Sequence, residues 1–292
     1  MSPLSRRAAL SALGAAVILP MLPKPARAAD NSVDAIKKRG QLIAGVKFDS
    51  PNWGYLNPNG GTEPTGFDVD IAKALAKQIL GDEKKIKFVQ VTSANRIPQT
   101  QNGDIDLFVA TATITPKRLE QINFSNVYYR AGQSLLVKAD SKITGYKDLA
   151  GKTVATVKGS TPETTIRRVA PQANVTTFDS YPDCYQALLQ GRADAMTTDN
   201  VILAGFEQQD PKATKLVGGL FTFEPYGIGI NKGNDSLTKA VNDGLAAIGK
   251  DGEYKTIYER WLKKPLPADW SSWYDMPAQK AADAYAADQP KT

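Results

Sequence analysis

The sequence contains no histidine and a single cysteine, Cys184. The first absence removes His-based triads, a histidine general base and imidazole-ligated zinc. The second removes intramolecular disulfides, CxxC redox chemistry and thiolate metal clusters. Excess charge of one sign is also missing from most of the chain. Residues 1–28 hold Arg6, Arg7, Lys24 and Arg27 and no acid, so the remainder sets 32 basic residues against 30 acidic ones. A body this close to neutral has no electrostatic footprint for nucleic acid. Hydrophobic residues make up 42% of the 292. That is ample for packed cores, and the length suggests about two domains.

Long hydrophobic runs are absent as well. A membrane span needs about 20 apolar residues, whereas the run 10–22 is shorter and carries Pro20. This run follows Arg6-Arg7 and precedes Ala26-Arg27-Ala28, which puts small residues at the two positions a signal peptidase reads. Export to the periplasm with cleavage after Ala28 is expected. Ser5-Arg6-Arg7 resembles a twin-arginine signal, although Ala9 stands where a large apolar residue is usual; an ordinary secretion signal is the alternative. No cysteine lies near the cleavage site, so no lipid anchor is expected there.

Beyond residue 28, short apolar runs alternate with amphipathic ones. Strands are predicted at 42–46, 86–91, 105–110, 134–137, 153–157, 175–178, 193–197 and 227–230. Ala72, Leu75, Ala76, Ile79 and Leu80 recur on one helix face. A second helix covers 181–190 and stops at Gly191. Leu237, Val241, Leu245 and Ile248 mark a third helix, and Tyr254, Ile257, Tyr258 and Trp261 a fourth. Strands separated by helices indicate an α/β architecture with mostly parallel sheets. The tail after Pro265 carries Trp270, Trp273 and Tyr274, which are expected to pack on the body.

The most informative stretch is Gly66-Phe67-Asp68-Val69-Asp70-Ile71-Ala72-Lys73-Ala74-Leu75-Ala76. It reads as a turn glycine, a buried aromatic, two acids in a first helical turn and an apolar helix face. Acids there suit the positive end of the helix dipole. The stretch resembles the signature of the family 3 extracellular solute-binding proteins, the polar amino acid receptors of ABC importers. Further segments carry the same resemblance: 45–49 with Trp53-Gly54-Tyr55, 110–118, Asn123-Phe124-Ser125 with Tyr128-Tyr129, and 191–195 with Asp199. Together they run from about residue 31 to about residue 262.

The resemblance implies a two-lobe periplasmic-binding-protein fold of the α/β class with two hinge-crossing strands. The large lobe would take 29–133 and 228–292, with an appendage from about 266, and the small lobe 134–227. It also implies a monomeric receptor without cofactor or metal, which closes on a small ligand and docks on a membrane ABC permease.

In such relatives an arginine at the position of Arg118 grips the ligand's α-carboxylate, because a guanidinium fork matches two oxygens. The local alternative is a surface arginine at a helix start. Thr111 and Thr113 stand on alternate residues after a strand and can face one side. Asp199 matches the family's acid for the α-ammonium; alternatively it caps the helical run 201–206. Gly159-Ser160-Thr161 opens a helix whose free N–H groups can bind a carboxylate, or Ser160 or Thr161 simply caps it.

At the ligand's side-chain end the candidates are Lys47, Arg96 and, as a neutral donor, Tyr181. Arg96 lies 22 positions before Arg118. That spacing, with Lys47, resembles the glutamate/aspartate-binding branch. Lys47, Arg96, Arg118 and Asp199 sum to +2. A buried surplus cation facing a neutral ligand would be left unpaired, so L-glutamate or L-aspartate is the expected ligand. The alternatives are a receptor for glutamine or another polar amino acid, a chemosensory partner protein, and a periplasmic dehydratase on the same fold. Trp53 and Tyr55 could wall the pocket or pack in a core, and Cys184 reads as a small buried hydrophobe.

Overall fold

A computed structural model describes residues 31–289 apart from residue 58. The leader, 1–28, lies outside the described residues. The chain first forms α1 (Val33–Arg39), β1 (Leu42–Val46), β2 (Asp49–Ser50), β3 (Gly54–Tyr55), α2 (Phe67–Leu80), β4 (Ile86–Gln90), α3 (Arg96–Asn102), β5 (Leu107–Phe108), α4 (Pro116–Gln121) and β6 (Ile122–Phe124). After β7 (Tyr129–Ala131) come β8 (Gln133–Lys138), β9 (Thr153–Val157), α5 (Thr161–Val169), β10 (Asn174–Phe178), α6 (Tyr181–Leu189), β11 (Ala195–Asp199), α7 (Asn200–Gln209) and β12 (Thr214–Val217). The last stretch holds β13 (Glu224–Tyr226), β14 (Gly229–Asn231), α8 (Asp235–Lys250), α9 (Glu253–Leu262) and α10 (Ala278–Ala287).

Two five-stranded sheets result, in the orders β4-β1-β5-β14-β6 and β10-β9-β11-β8-β12. Each is the centre of one lobe. Between them β7 and β13 pair antiparallel, Tyr129 opposite Tyr226, as the two strands that cross from lobe to lobe.

The sheets are mixed, which corrects the expectation of mostly parallel ones. β1 runs parallel to β4 and β5, and β9 parallel to β10 and β11. These pairs are joined through helices, the connection that parallel neighbours require. β14 is antiparallel to β5 and β6, and β8 is antiparallel to β11 and β12. Both odd strands follow directly on a crossing strand, so no helix intervenes to restore direction.

The helix face of Ala72, Leu75, Ala76 and Ile79 is buried, and α2 packs on α8 and α9. Gly66 starts α2 at φ 145°. A Cβ there would stand 2.2 Å from the Trp53 carbonyl oxygen, so only glycine lets the loop after β3 lie this close. Trp53 is fully buried. It meets Phe67 at 4.9 Å and the crossing-strand rings of Tyr129 and Tyr226 at 4.7 and 5.7 Å between centroids. It therefore belongs to the core under the hinge. Cys184 is fully buried as well.

The tail packs as expected. Trp270 stacks on Tyr254 at 5.6 Å, and Tyr274 lies 4.4 Å from the same ring and donates its hydroxyl to the Leu245 carbonyl at 2.6 Å. Helix α10 then lies against α4 and β13. Past its end, the Gln289 side-chain oxygen accepts from Arg168 Nη2 on α5 at 2.7 Å. The tail thus touches both lobes. Among the described residues, no helix is long and apolar enough to cross a membrane.

Candidate ligand-binding site

The nine residues singled out from the sequence are all buried, and Lys47, Thr113 and Arg118 of the large lobe reach residues of the small one. Lys47 follows β1 directly. Its Nζ donates to Ser93 Oγ at 2.9 Å and stands 4.8 Å from the centre of the Tyr181 ring, which belongs to the other lobe. Burial lowers this ammonium to about 8, partly offset by Asp49.

Arg96 opens α3 and is 2% exposed. Its Nη1 donates to the carbonyls of Ala110 and Thr111, and its Nε has no partner. Phe108 lies beneath the guanidinium, 5.6 Å from its carbon. Arg96 thus braces the backbone of the segment that follows β5. That segment is strained: Thr111 has φ 46°, a region that β-branched residues rarely occupy. Its N–H donates to Asp68 Oδ2 at 2.9 Å, so the turn is held from both sides. Asp68 Oδ1 accepts from the Tyr128 hydroxyl at 2.9 Å. Asp68 is therefore more than a helix-start acid. It is fully buried, and desolvation pushes its carboxyl up to about 7.

Thr113 pairs with Tyr226 in an isolated bridge, and the Ile114 N–H donates to the Pro225 carbonyl at 2.8 Å. The binding segment is thereby stitched to crossing strand β13. Arg118 sits in the first turn of α4, which Thr115 caps. It is buried, unlike the surface arginine its local sequence allowed. Nη1 donates to the Thr113 carbonyl at 2.9 Å and Nη2 to the Gly159 carbonyl at 3.0 Å, so one guanidinium joins the lobes.

From the small lobe come Ser160, Thr161, Tyr181 and Asp199. Ser160 does not cap α5; its hydroxyl donates to the Val157 carbonyl at 2.6 Å. Tyr181 begins α6, and its backbone N–H donates to Asp49 Oδ2 at 3.3 Å, across to the large lobe. Asp199 ends β11 and makes no side-chain cap to α7. Instead Oδ2 accepts from the Tyr226 hydroxyl at 2.5 Å, and Oδ1 has no partner. Burial, reinforced by nearby Glu224, pushes this carboxyl up to about 8.

Glu224 was not foreseen. It is fully buried at the start of β13 and accepts from Thr113 and Thr161, one residue from each lobe. No periodic pattern surrounds it in the sequence, so nothing local marked it. With Asp68 it changes the charge balance. Three buried cations, Lys47, Arg96 and Arg118, now face three buried carboxyls, Asp68, Asp199 and Glu224. The surplus of +2 counted on four residues disappears.

The lobes are closed on each other. Thr113 and Thr161 hydroxyls are 3.4 Å apart, and Asn52 Nδ2 donates to Gln208 Oε1 at 2.9 Å across the seam. Gly159, at φ 73°, passes so near Ala94 that a Cβ would sit 3.0 Å from the Ala94 Cα. Beside the seam a cleft of about 620 Å³ is bordered by Ile97, Lys117, Arg118, Thr161, Glu163 and Tyr285.

Asp199 Oδ1, Arg96 Nε and Thr111 Oγ1 are buried polar atoms without a protein partner. Each costs about 1–3 kcal/mol unless something pairs with it. A small solute with both donor and acceptor groups would meet that need. Two α/β lobes, two crossing strands and charges enclosed at the seam define a hinged solute-binding protein.

The family model of the bacterial extracellular solute-binding proteins, family 3, matches residues 42–264, and the chain belongs to that family. It is 48% identical over 235 residues to the ABC transporter glutamine-binding protein GlnH of Bacillus subtilis (strain 168), covering 80% of this chain and 85% of that protein. It is 35% identical over 243 residues to the glutamate-binding protein GluB of Corynebacterium efficiens, covering 80% and 81%. Among solved structures, an ancestral arginine-binding protein bound to glutamine is similar with a TM-score of 0.73 at 39% identity, covering 77% of this chain and 99% of that one.

Proposed function

We propose that this protein is an exported receptor that binds L-glutamine between its lobes and hands it to an ABC-type permease. The observation that carries this reading is the balance of three buried cations against three buried carboxyls. With all six groups ionised, the state that a ligand ammonium favours by drawing the proton off Asp199, the site has zero formal charge and is best matched by a ligand of zero net charge, because any surplus would be buried unpaired. Glutamine is a zwitterion with a neutral polar side chain. Arg118 would take its α-carboxylate and Asp199 its α-ammonium, with Ser160, Thr161, Thr111 and Thr113 completing the head-group contacts. Lys47, Arg96 and Tyr181 would surround the side-chain end. The similarity to a glutamine-binding relative at 48% identity supports the same ligand.

Glutamate is the second reading, and one observation favours it. The protein contact of the Lys47 ammonium is a neutral hydroxyl, Ser93 Oγ. An anionic side chain would pair with that ammonium. Ligand-driven closure follows in either case, since contacts to both lobes exist only when they meet.

Calorimetric titration of the mature protein with the common amino acids tests the proposal, after unfolding and refolding to strip carried-over ligand. Tight binding of glutamine above glutamate is the expected result. Preference for glutamate and aspartate would replace it with the second reading. Failure to bind any amino acid, with turnover of prephenate or arogenate, would move the protein to the dehydratase alternative.

A further inference from the structure

Glu224 receives four hydrogen bonds. Oε1 accepts from Gln133 Nε2 at 2.6 Å and Thr222 Oγ1 at 2.9 Å. Oε2 accepts from Thr113 Oγ1 at 2.6 Å and Thr161 Oγ1 at 2.9 Å. Burial pushes this carboxyl up, and the four donors pull against that. An ionised carboxylate only accepts, and a threonine hydroxyl owns one proton. The single protons of Thr113 and Thr161 are therefore both committed to Oε2. What remains on each threonine oxygen is lone pairs.

We propose that Glu224 is a specificity-determining residue that acts through Thr113 and Thr161, making both hydroxyls acceptors toward the ligand. Their edge of the site is then reserved for N–H groups. A carboxylate oxygen placed there would meet lone pairs, whereas an ammonium would be bonded. The neighbouring geometry agrees. Thr113 pairs with Tyr226, and the Tyr226 hydroxyl holds Asp199, whose Oδ1 is a third acceptor. Glu224 itself contacts no ligand in this scheme. It positions protons, and so determines which end of an amino acid can point this way. The inference rests on the amino-acid-receptor reading above.

Glu224→Gln is the decisive variant. The amide exchanges one acceptor oxygen for a two-proton donor. With the Gln133 amide held as it stands, its Nε2 also donating to Thr165 Oγ1, the new oxygen stays on the Gln133 side and the new NH2 faces Thr113 and Thr161. Both hydroxyls then turn their protons toward the ligand. Calorimetry would compare L-glutamine with its analogue lacking the α-amine, 4-carbamoylbutanoate, on both proteins. Glutamine affinity is expected to fall about 10- to 100-fold in the variant, the worth of a hydrogen bond to a charged group. The analogue should change less than about 3-fold. Equal losses for both ligands, or none, would overturn the proposal, because a purely structural role would not separate them.

A measurement on the unsubstituted protein covers the case in which Glu224→Gln does not fold. Proton NMR should show the Thr113 and Thr161 hydroxyl protons as slowly exchanging signals, as expected for buried donors to a carboxylate. Fast exchange of both would overturn the proposal. This readout needs no ligand, so it separates failure of the Glu224 role from failure of the glutamine reading.

Discussion

Tyr226 donates its hydroxyl to Asp199 Oδ2 at 2.5 Å and thereby ties the second crossing strand to the last residue of β11. The other oxygen, Oδ1, has no protein partner and in the proposed binding mode takes the ligand ammonium. Asp199→Asn should weaken every amino acid by about 100-fold or more, since breaking a buried charge pair costs about 3–5 kcal/mol. The same variant should stabilise the ligand-free protein. The folded-state carboxyls of Asp199 and Asp68 are raised to about 8 and about 7. A raised carboxyl contributes stability at acid pH and loses it as pH climbs through the folded value. Ligand-free melting temperature should thus decline between pH 5 and pH 8.5, and less steeply in Asp199→Asn. Thermal melts across that range check both statements; parallel curves for the two proteins would reject the assignment.

Proton release should accompany binding. Near pH 7 the Asp199 carboxyl, pushed up to about 8, holds its proton in much of the ligand-free population. An α-ammonium pairs with the ionised form, so binding must expel that proton. Affinity for glutamine should rise from pH 6 to pH 8 by up to about tenfold per unit. Titration in two buffers of different ionisation enthalpy measures the released fraction directly. Identical heats in both buffers would mean that Asp199 does not meet the ammonium.

What could be read in advance follows the range of the interactions. Strands 42–46 and 153–157 were legible because each is a short apolar run bounded by turns, and α2 because its buried face repeats every turn. The crossing strands β7 and β13 were not, having three residues each, too few for β7's single alternation to stand out and with none in β13. Among the site residues, Lys47, Arg96, Arg118 and Asp199 stand in recognisable segments. Asp68 was visible only as a helix-start acid, since its partners Thr111 and Tyr128 lie 43 and 60 positions away. Glu224 has partners 63 and 111 positions away and no local sign at all. The charge count erred for that reason: cations in motifs were counted, while the acids that balance them arrive only when the chain folds.

Lys47→Met separates the two ligand readings. The substitution keeps an unbranched apolar stem, one atom shorter, and removes the ammonium, whose protein bond goes to Ser93 and whose neighbour is the Tyr181 ring. If the site is matched to glutamine, its affinity should change by less than about 5-fold, because no charge-assisted bond to the amide depends on Lys47. Any affinity for glutamate should drop at least about 10-fold. Side-by-side titrations decide the matter, and a larger loss for glutamine than for glutamate would contradict both readings of the side-chain end.

The final prediction concerns the tail, which lies beyond the family match at 42–264. Ending the chain at Met276 would remove α10 and Gln289. The aromatic packing of Trp270 and Tyr274 on Tyr254 would remain, so the large lobe should stay folded. What disappears is a link between lobes, because α10 rests on α4 and β13 while Gln289 holds Arg168 on α5. A contact made in the closed form and lost in the open one shifts the equilibrium toward closure by its own differential energy. One such hydrogen bond to a charged group is worth about 1.5–3 kcal/mol at most, and exposure of the segment reduces that. Truncation should therefore weaken ligand binding about 3- to 10-fold, through faster release with little change in association rate. Small-angle scattering should show a more open ligand-free particle. Unchanged release kinetics would mean that α10 rides with one lobe through the whole closing motion.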